Sequence, residues 1–122
     1  AEDKIAQLQA AAAISSDAVE RDVLGFNLAL AHMRFGEWRK ALAVFESLSK
    51  VPVGPGIGPG AVLYYRALCY EHLGERDRAI GLLREASSID SQVLTDDGSS
   101  VGALARIRLA LFGTNPDPLP GP

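Results

Sequence analysis

The sequence predicts an all-α fold in which the helices pair into antiparallel hairpins. Of its 122 residues, 48% are hydrophobic but only 7% are aromatic, and many of the apolar residues are alanine. Alanine loses no side-chain entropy in a helix, so this composition favours packed helices over strands. Apolar residues recur three and four positions apart, no segment alternates with a period of two, and a pattern of small residues repeats along the chain.

Six helices are predicted in chain order. The first spans residues 2–14, and Asp17 with Glu20 three residues later forms the capping-box pattern that begins the second. Gly36 is expected to end the second helix and Pro52 the third, because glycine permits a left-handed turn and proline cannot continue a helix. The predicted ranges of helices two to six are 18–35, 38–49, 61–73, 76–89 and 101–112.

Two segments are predicted to lack regular structure. A loop rich in glycine and proline spans residues 54–60, with Ile57 at its tip. The Ile57 side chain is expected either to be an exposed apolar contact or to fill the gap between hairpins. Residues 1–112 are predicted to form one domain, and the proline-rich residues 113–122 a disordered tail or linker.

The predicted hairpins repeat with a fixed internal spacing. The first copy contains Ala29, His32, Gly36, Ala41 and Phe45, and the second contains Ala67, Tyr70, Gly74, Ala79 and Leu83, each 38 residues later. The alanines allow helices to approach closely, the glycines allow the turn between paired helices, and the last residue of each set fills the core. This pattern resembles the tetratricopeptide-repeat family over about residues 22–91.

The resemblance implies a right-handed array of antiparallel helix hairpins. The opening helix resembles the trailing half of an incomplete repeat, and the last helix resembles a capping helix. The chain departs from the family pattern in several slots. Gly25 and Leu63 stand where the family has an early aromatic residue, Arg66 stands in a leucine slot, and His32 stands in a tyrosine slot.

The resemblance also implies a groove that binds protein segments. In this family the first helices of successive hairpins line a concave groove, where extended peptides or partner helices bind. Carried over to this sequence, the groove residues are Phe26, Asn27, Leu30, Met33, Arg34, Tyr64, Tyr65, Leu68, Glu71 and His72. Phe26 aligns with Tyr64 and Leu30 with Leu68, so an apolar strip is expected. It is either an open binding site or core covered by the first or last helix.

One variant of the family binds acidic C-terminal peptides through a clamp of lysine, asparagine and arginine. Phe26 and Leu30 stand where that clamp has its first lysine and asparagine, and Tyr65 stands at its second asparagine. The sequence therefore predicts an apolar or amphipathic ligand instead.

No catalytic, metal or cofactor site is predicted. Cys69 and His72 lie three residues apart on one predicted helix, but this pair alone has too few ligands for a structural zinc site. The glycine-rich loop follows a helix rather than a strand, and Pro55 and Pro59 lack the N–H groups of a phosphate cradle. Because no spacing typical of a catalytic nucleophile occurs either, the chain is predicted not to be an enzyme.

The net charge and the hydropathy of the chain restrict the classes of partner that it is expected to bind. The net charge is −3 with acids and bases interspersed, which disfavours nucleic acid as a partner. No apolar run approaches the roughly twenty residues of a membrane span. A soluble protein is predicted, with the cytoplasm favoured over the periplasm or secretion.

Two function classes remain. The first is an interaction module, acting as scaffold, adaptor or chaperone-like protein, that binds a partner peptide or helix in the groove. The alternative is a self-association module that forms homo-oligomers through hairpin edges.

Overall fold

The computed structural model describes residues 2–14 and 17–112. The described chain contains six α-helices. No strand occurs among these residues, in which β-pairing is confined to two isolated bridges. The prediction of an all-α fold is therefore confirmed, whereas the predicted disordered tail at 113–122 lies outside the described residues. The helices are α1 (Glu2–Ile14), α2 (Ala18–Arg34), α3 (Trp38–Ser47), α4 (Pro59–His72), α5 (Arg76–Ala86) and α6 (Val101–Leu111).

Each helix packs against the next one along the chain. The two hairpins are α2–α3 and α4–α5, α1 packs against α2, and α6 packs against α5 and more lightly against α4. Both hairpin turns contain a glycine in the left-handed region, with φ of 71° at Gly36 and 77° at Gly74, as the sequence predicts. The alanines predicted at helix crossings are almost fully buried, namely Ala29, Ala41, Ala67 and Ala79.

Two helix starts show why the chain becomes helical at these points. Asp17 caps α2, because its Oδ1 accepts hydrogen bonds from the backbone N–H of Val19 at 2.8 Å and of Glu20 at 3.3 Å. Side-chain caps of this kind satisfy N–H groups that have no partner within the helix. Ser100 caps α6 in the same way, through a 3.0 Å bond from the backbone N–H of Ala103.

The predicted ends of α3 and α5 are two to three residues too late. The Asp22 carboxylate of α2 accepts the backbone N–H groups of Ser49 and Lys50 at 2.8 and 2.6 Å, so these groups bond outside the helix. After α5, the Ile89 carbonyl accepts the N–H of Gly102 at 2.8 Å, which fixes the chain to the start of α6. Helix α3 therefore ends where tertiary hydrogen bonds replace helical ones, whereas after α5 the N–H groups of Ser87 and Ile89 donate to the carbonyls of Arg84 and Ala86 in a local turn.

Residues 54–58 form a turn closed by an isolated bridge, and the predicted irregular segment is wrong only at residues 59–60, which are helical. Gly54 and Ile57 exchange two backbone hydrogen bonds of 2.9 and 3.1 Å, and the N–H of Gly56 donates to the carbonyl of Val93 at 2.9 Å. Helix α4 begins inside this segment at Pro59, because proline suits a first helical turn. Ile57 is partly buried and packs against the core, so it is not an exposed contact at the loop tip.

The buried side chains form two clusters. The first lies between the hairpins and includes Phe26, Phe45 and Cys69. The second includes Leu83 of α5 with Val101, Ala105 and Leu109 of α6. Because α6 supplies three of these residues, it is an integral part of the core, as a closing helix of a repeat array is expected to be.

Candidate functional site

Phe26 belongs to the core, so its prediction as a residue lining an open groove is wrong. Its side chain is only 2% exposed. The ring makes edge-to-face contacts with Phe45, at 5.8 Å between centroids, and with Tyr65, at 5.9 Å. Helices α3 and α4 therefore cover the side chain, and it is not available to a partner.

Tyr65 supports the same aromatic cluster but remains half-buried. Its ring stacks on Phe45 with centroids 5.9 Å apart and planes 8° apart, and it meets the edge of Tyr64 at 5.8 Å. Burial, together with the neighbouring Tyr64, raises the pKa of the Tyr65 hydroxyl. The phenol therefore stays neutral at physiological pH, so Tyr65 can offer a partner a ring and a hydroxyl but no charge.

Helix α6 covers part of the predicted groove face of α4. Tyr64 is half-buried and packs against the second core cluster, which contains three residues of α6. Further along α4, the Glu71 Oε2 lies 3.6 Å from the Nε of Arg108 on α6. The predicted strip is thus partly covered by the closing helix.

Helix α1 lies beside the groove face of α2. A cleft of about 270 Å³ opens between the two helices. Leu30 is half-buried, whereas Asn27 and Arg34 are exposed. Met33, on the same helix, is half-buried against the first core cluster. The residues that line the cleft are Lys4, Leu8, Asn27, Leu30 and Arg34.

Leu68 and His72 complete the predicted set on α4. Leu68 is half-buried and belongs to neither core cluster among the described residues. His72 is exposed, and its ring stacks on Trp38 of α3 with centroids 3.8 Å apart and planes 4° apart. Sequence reasoning missed Trp38 because the matching position of the second hairpin holds Arg76, so no repeat marks it.

A polar group that the sequence did not single out as a site lies at the turn between α2 and α3. His32 is buried, and its Nδ1 lies 2.9 Å from the Oε1 of Glu37, whose Oε2 accepts from the Nζ of Lys40 at 3.1 Å. Both partners hold the pKa of the Glu37 carboxyl below its ordinary value. The one sequence signal was the histidine in the family's tyrosine slot.

Cys69 and His72 do not form a shared site. The Cys69 side chain is fully buried in the first core cluster, and burial raises its thiol pKa to about 11, so it is not a thiolate at neutral pH. Across residues 2–14 and 17–112, no three His, Cys, Asp or Glu side chains are grouped as metal ligands. No helix in that same part of the chain is both long and apolar enough to cross a bilayer.

This architecture defines a helical-repeat protein with two complete hairpins and a single helix at each end. Two family models, both described as tetratricopeptide repeat, match residues 24–56 and 61–88, which contain most of the two hairpins. The chain belongs to the tetratricopeptide-repeat family. Searches of curated proteins and of solved structures found no match. Repeats of this family are generally protein–protein interaction modules and generally not enzymes.

Proposed function

We propose that this chain is an interaction module that binds a segment of a partner protein along the groove face of α2 and α4. The observation that carries the proposal is the partial exposure of Leu30 and Leu68, which occupy the same slot in the two repeats. Leu30 packs against the first core cluster and Leu68 belongs to neither cluster among the described residues, yet both side chains stay partly exposed. Apolar side chains repeated at one surface position suit an apolar or amphipathic segment.

The charged residues around Leu30 indicate which side chains a partner segment should carry. Lys4 and Arg34 both line the cleft beside Leu30, and both are exposed. Asn27 adds an exposed amide to the same rim. A polar rim around an apolar centre is the usual anatomy of a protein interface. The best-fitting segment therefore has an apolar anchor next to an acidic side chain.

Leu68→Glu is expected to weaken partner binding by at least tenfold while lowering the melting temperature by only a few degrees. A charge at this half-buried position removes an apolar contact from the interface without opening a core cluster. The partner is first captured with the unmodified chain and identified by mass spectrometry. It is then titrated calorimetrically into each purified variant.

Ile107→Glu is the matched control for this experiment. It also introduces an acid at an apolar helix position, but Ile107 lies on α6 and is 60% exposed. We expect the control to bind the partner with unchanged affinity. Unchanged binding by Leu68→Glu, or equal losses in both variants, contradicts the groove assignment.

The outer face of α6 favours self-association as a second candidate function. Ile107 and Leu111 are 60% and 73% exposed and lie one turn apart on this helix. If this face joins two copies, light scattering should show a mass that rises with concentration, and Ile107→Glu should return the chain to a monomer. Leu68→Glu should leave such a dimer intact. A monomeric mass over a wide concentration range removes this candidate.

A further inference from the structure

Helix α1 packs on the rest of the protein through partly buried side chains only. None of residues 3–14 is more than partly buried, and none belongs to either core cluster or packs against one. No hydrogen bond or ion pair joins one of their side chains to another residue of the described chain. Each of the other five helices contributes at least three buried residues. The packing therefore holds α1 less firmly than any other helix of the described chain.

Clefts flank α1 on both sides of its contact with α2. The cleft of about 270 Å³ beside Leu30 lies on one side, and a cleft of about 510 Å³ lined by Ala6 and His32 opens on the other, toward α3. The helical period places Leu28 and Ala31 of α2 between these two clefts. Both are buried, at 8% and 3% exposure, although neither belongs to a core cluster. We therefore attribute their burial to α1.

The surface of α2 beneath α1 is part of an apolar stripe that continues beyond it. Leu24, Leu28, Ala31 and Phe35 follow one another at intervals of four, three and four residues, so they share one face of α2. Only residues 15–17 separate the two helices, which are therefore antiparallel, and α1 has 13 residues against 17 in α2. Phe35, at the end of α2, is 48% exposed. A longer helix than α1 can cover it.

The second hairpin shows the same surface covered by a helix with larger side chains. Two residues of α4 stand 38 positions after members of the stripe and are buried in the first core cluster, namely Val62 and Cys69. That cluster contains Phe45 of α3, which is only 1% exposed. Helix α1 instead has four consecutive alanines at residues 10–13. The side chains of α1 are thus too small to fill the space that a helix like α3 fills.

We infer that α1 is a displaceable cover, and that the stripe beneath it binds an amphipathic helix of a partner protein that has large apolar side chains where α1 has alanine. Such a helix fills the clefts on both sides of α1 and buries Phe35, so it gains apolar burial that α1 lacks. Opening α1 leaves both core clusters intact. Because α1 competes for the same surface, it lowers the partner's apparent affinity by the fraction of chains in which it is closed. This site goes beyond the proposed function, which uses the groove face at Leu30 and Leu68.

The probe is a synthetic peptide of residues 2–14 that carries Ala6→Leu and Leu8→Phe, since these two positions line the two clefts. It is titrated into the isotope-labelled full chain while the backbone amide signals of Leu28 and Ala31 are followed by NMR. We expect saturable shifts, and about fivefold weaker binding by the peptide of unmodified sequence. In the free chain, the amides of α1 should exchange with solvent at least about tenfold faster than those of α4.

Variants of the full chain test whether the probe replaces α1. Leu8→Glu loosens α1 and should tighten binding of the probe about tenfold. Gln7→Glu is the matched control, because it places the same acid at the adjacent exposed position, and it should leave the affinity unchanged. A chain with Ala6→Leu and Leu8→Phe should hold its own α1 more firmly and bind the probe more weakly, so the test does not depend on one loosened variant.

The groove face and the covered stripe can fail separately. Leu68→Glu, which tests the groove face, should bind the probe like the unmodified chain. The inference is overturned by the absence of saturable shifts, by α1 amides as strongly protected as those of α4, or by equal affinity of Leu8→Glu and Gln7→Glu for the probe.

Discussion

Phe26→Ala is expected to lower the free energy of unfolding by about 3–5 kcal/mol, as for other buried phenylalanines. Phe26 is 2% exposed, and its ring contacts both Phe45 and Tyr65, so truncation leaves a cavity between the hairpins. Two-state denaturation by urea, monitored by circular dichroism, measures the change. Phe45 and Tyr65 belong to different hairpins, so the loss should also weaken the packing of one hairpin on the other.

Leu68→Ala provides the control for this measurement. Leu68 is also an apolar groove-slot residue, but it is half-buried and lies outside both core clusters. We expect it to change the free energy of unfolding by about 1 kcal/mol or less. A Phe26→Ala protein as stable as the Leu68→Ala protein would contradict the assignment of Phe26 to the core. It would support Phe26 as a groove residue, as the repeat pattern alone implied.

The difference between Phe26 and Tyr64 shows what the repeat pattern can predict. Their spacing correctly places both residues in the same slot, because the helical period fixes which face a residue occupies. It does not specify what packs on that face. Phe26 meets the aromatic side chains of α3 and α4, whereas Tyr64 packs against the cluster that includes α6. The neighbouring element therefore decides whether an equivalent position is core or surface.

The departure at Gly25 has a physical explanation that the sequence alone did not indicate. A Cβ atom at Gly25 would lie 2.9 Å from the Cδ2 of Leu48, the residue that follows α3, so the Leu48 side chain fills the space near the missing side chain. In the second repeat the sizes are exchanged, with Leu63 and the fully buried Ala86 in the corresponding slots. Gly25 is thus compensated by Leu48 across the hairpin, which becomes visible only when the two positions are seen in contact.

The order in the glycine-rich loop could not be predicted from local sequence for a related reason. Besides the local bonds between Gly54 and Ile57, two hydrogen bonds join the segment to residues more than thirty positions away, from Gly56 to Val93 and from Gly60 to the Oε1 of Gln92 at 2.8 Å. Local turn chemistry predicted only that the helix pattern stops there. A Cβ atom at position 60 would lie 2.8 Å from that same Gln92 oxygen, so a larger residue there would displace the Gln92 side chain. Long-range hydrogen bonds therefore order the loop together with its local turn.

Tyr65→Ala is expected to lower the free energy of unfolding by about 2–4 kcal/mol, somewhat less than for a fully buried aromatic residue because Tyr65 is half-buried. The melting temperature should fall by on the order of 10 °C. The cause is the loss of the stack on Phe45 and of the edge contacts with Phe26 and Tyr64. Thermal melting followed by circular dichroism measures this effect.

Tyr65→Phe separates support of the fold from contact with a partner. It keeps every ring contact and removes only a hydroxyl that makes no hydrogen bond among the described residues, so its stability should stay within about 0.5 kcal/mol of the unmodified chain. If the hydroxyl also contacts the partner segment, calorimetric titration should show a severalfold loss of affinity at an unchanged melting temperature. A Tyr65→Ala protein that melts like the unmodified chain contradicts the structural role and leaves Tyr65 as a surface residue. Together the two variants measure how much of the aromatic strip serves the core and how much is open to a partner.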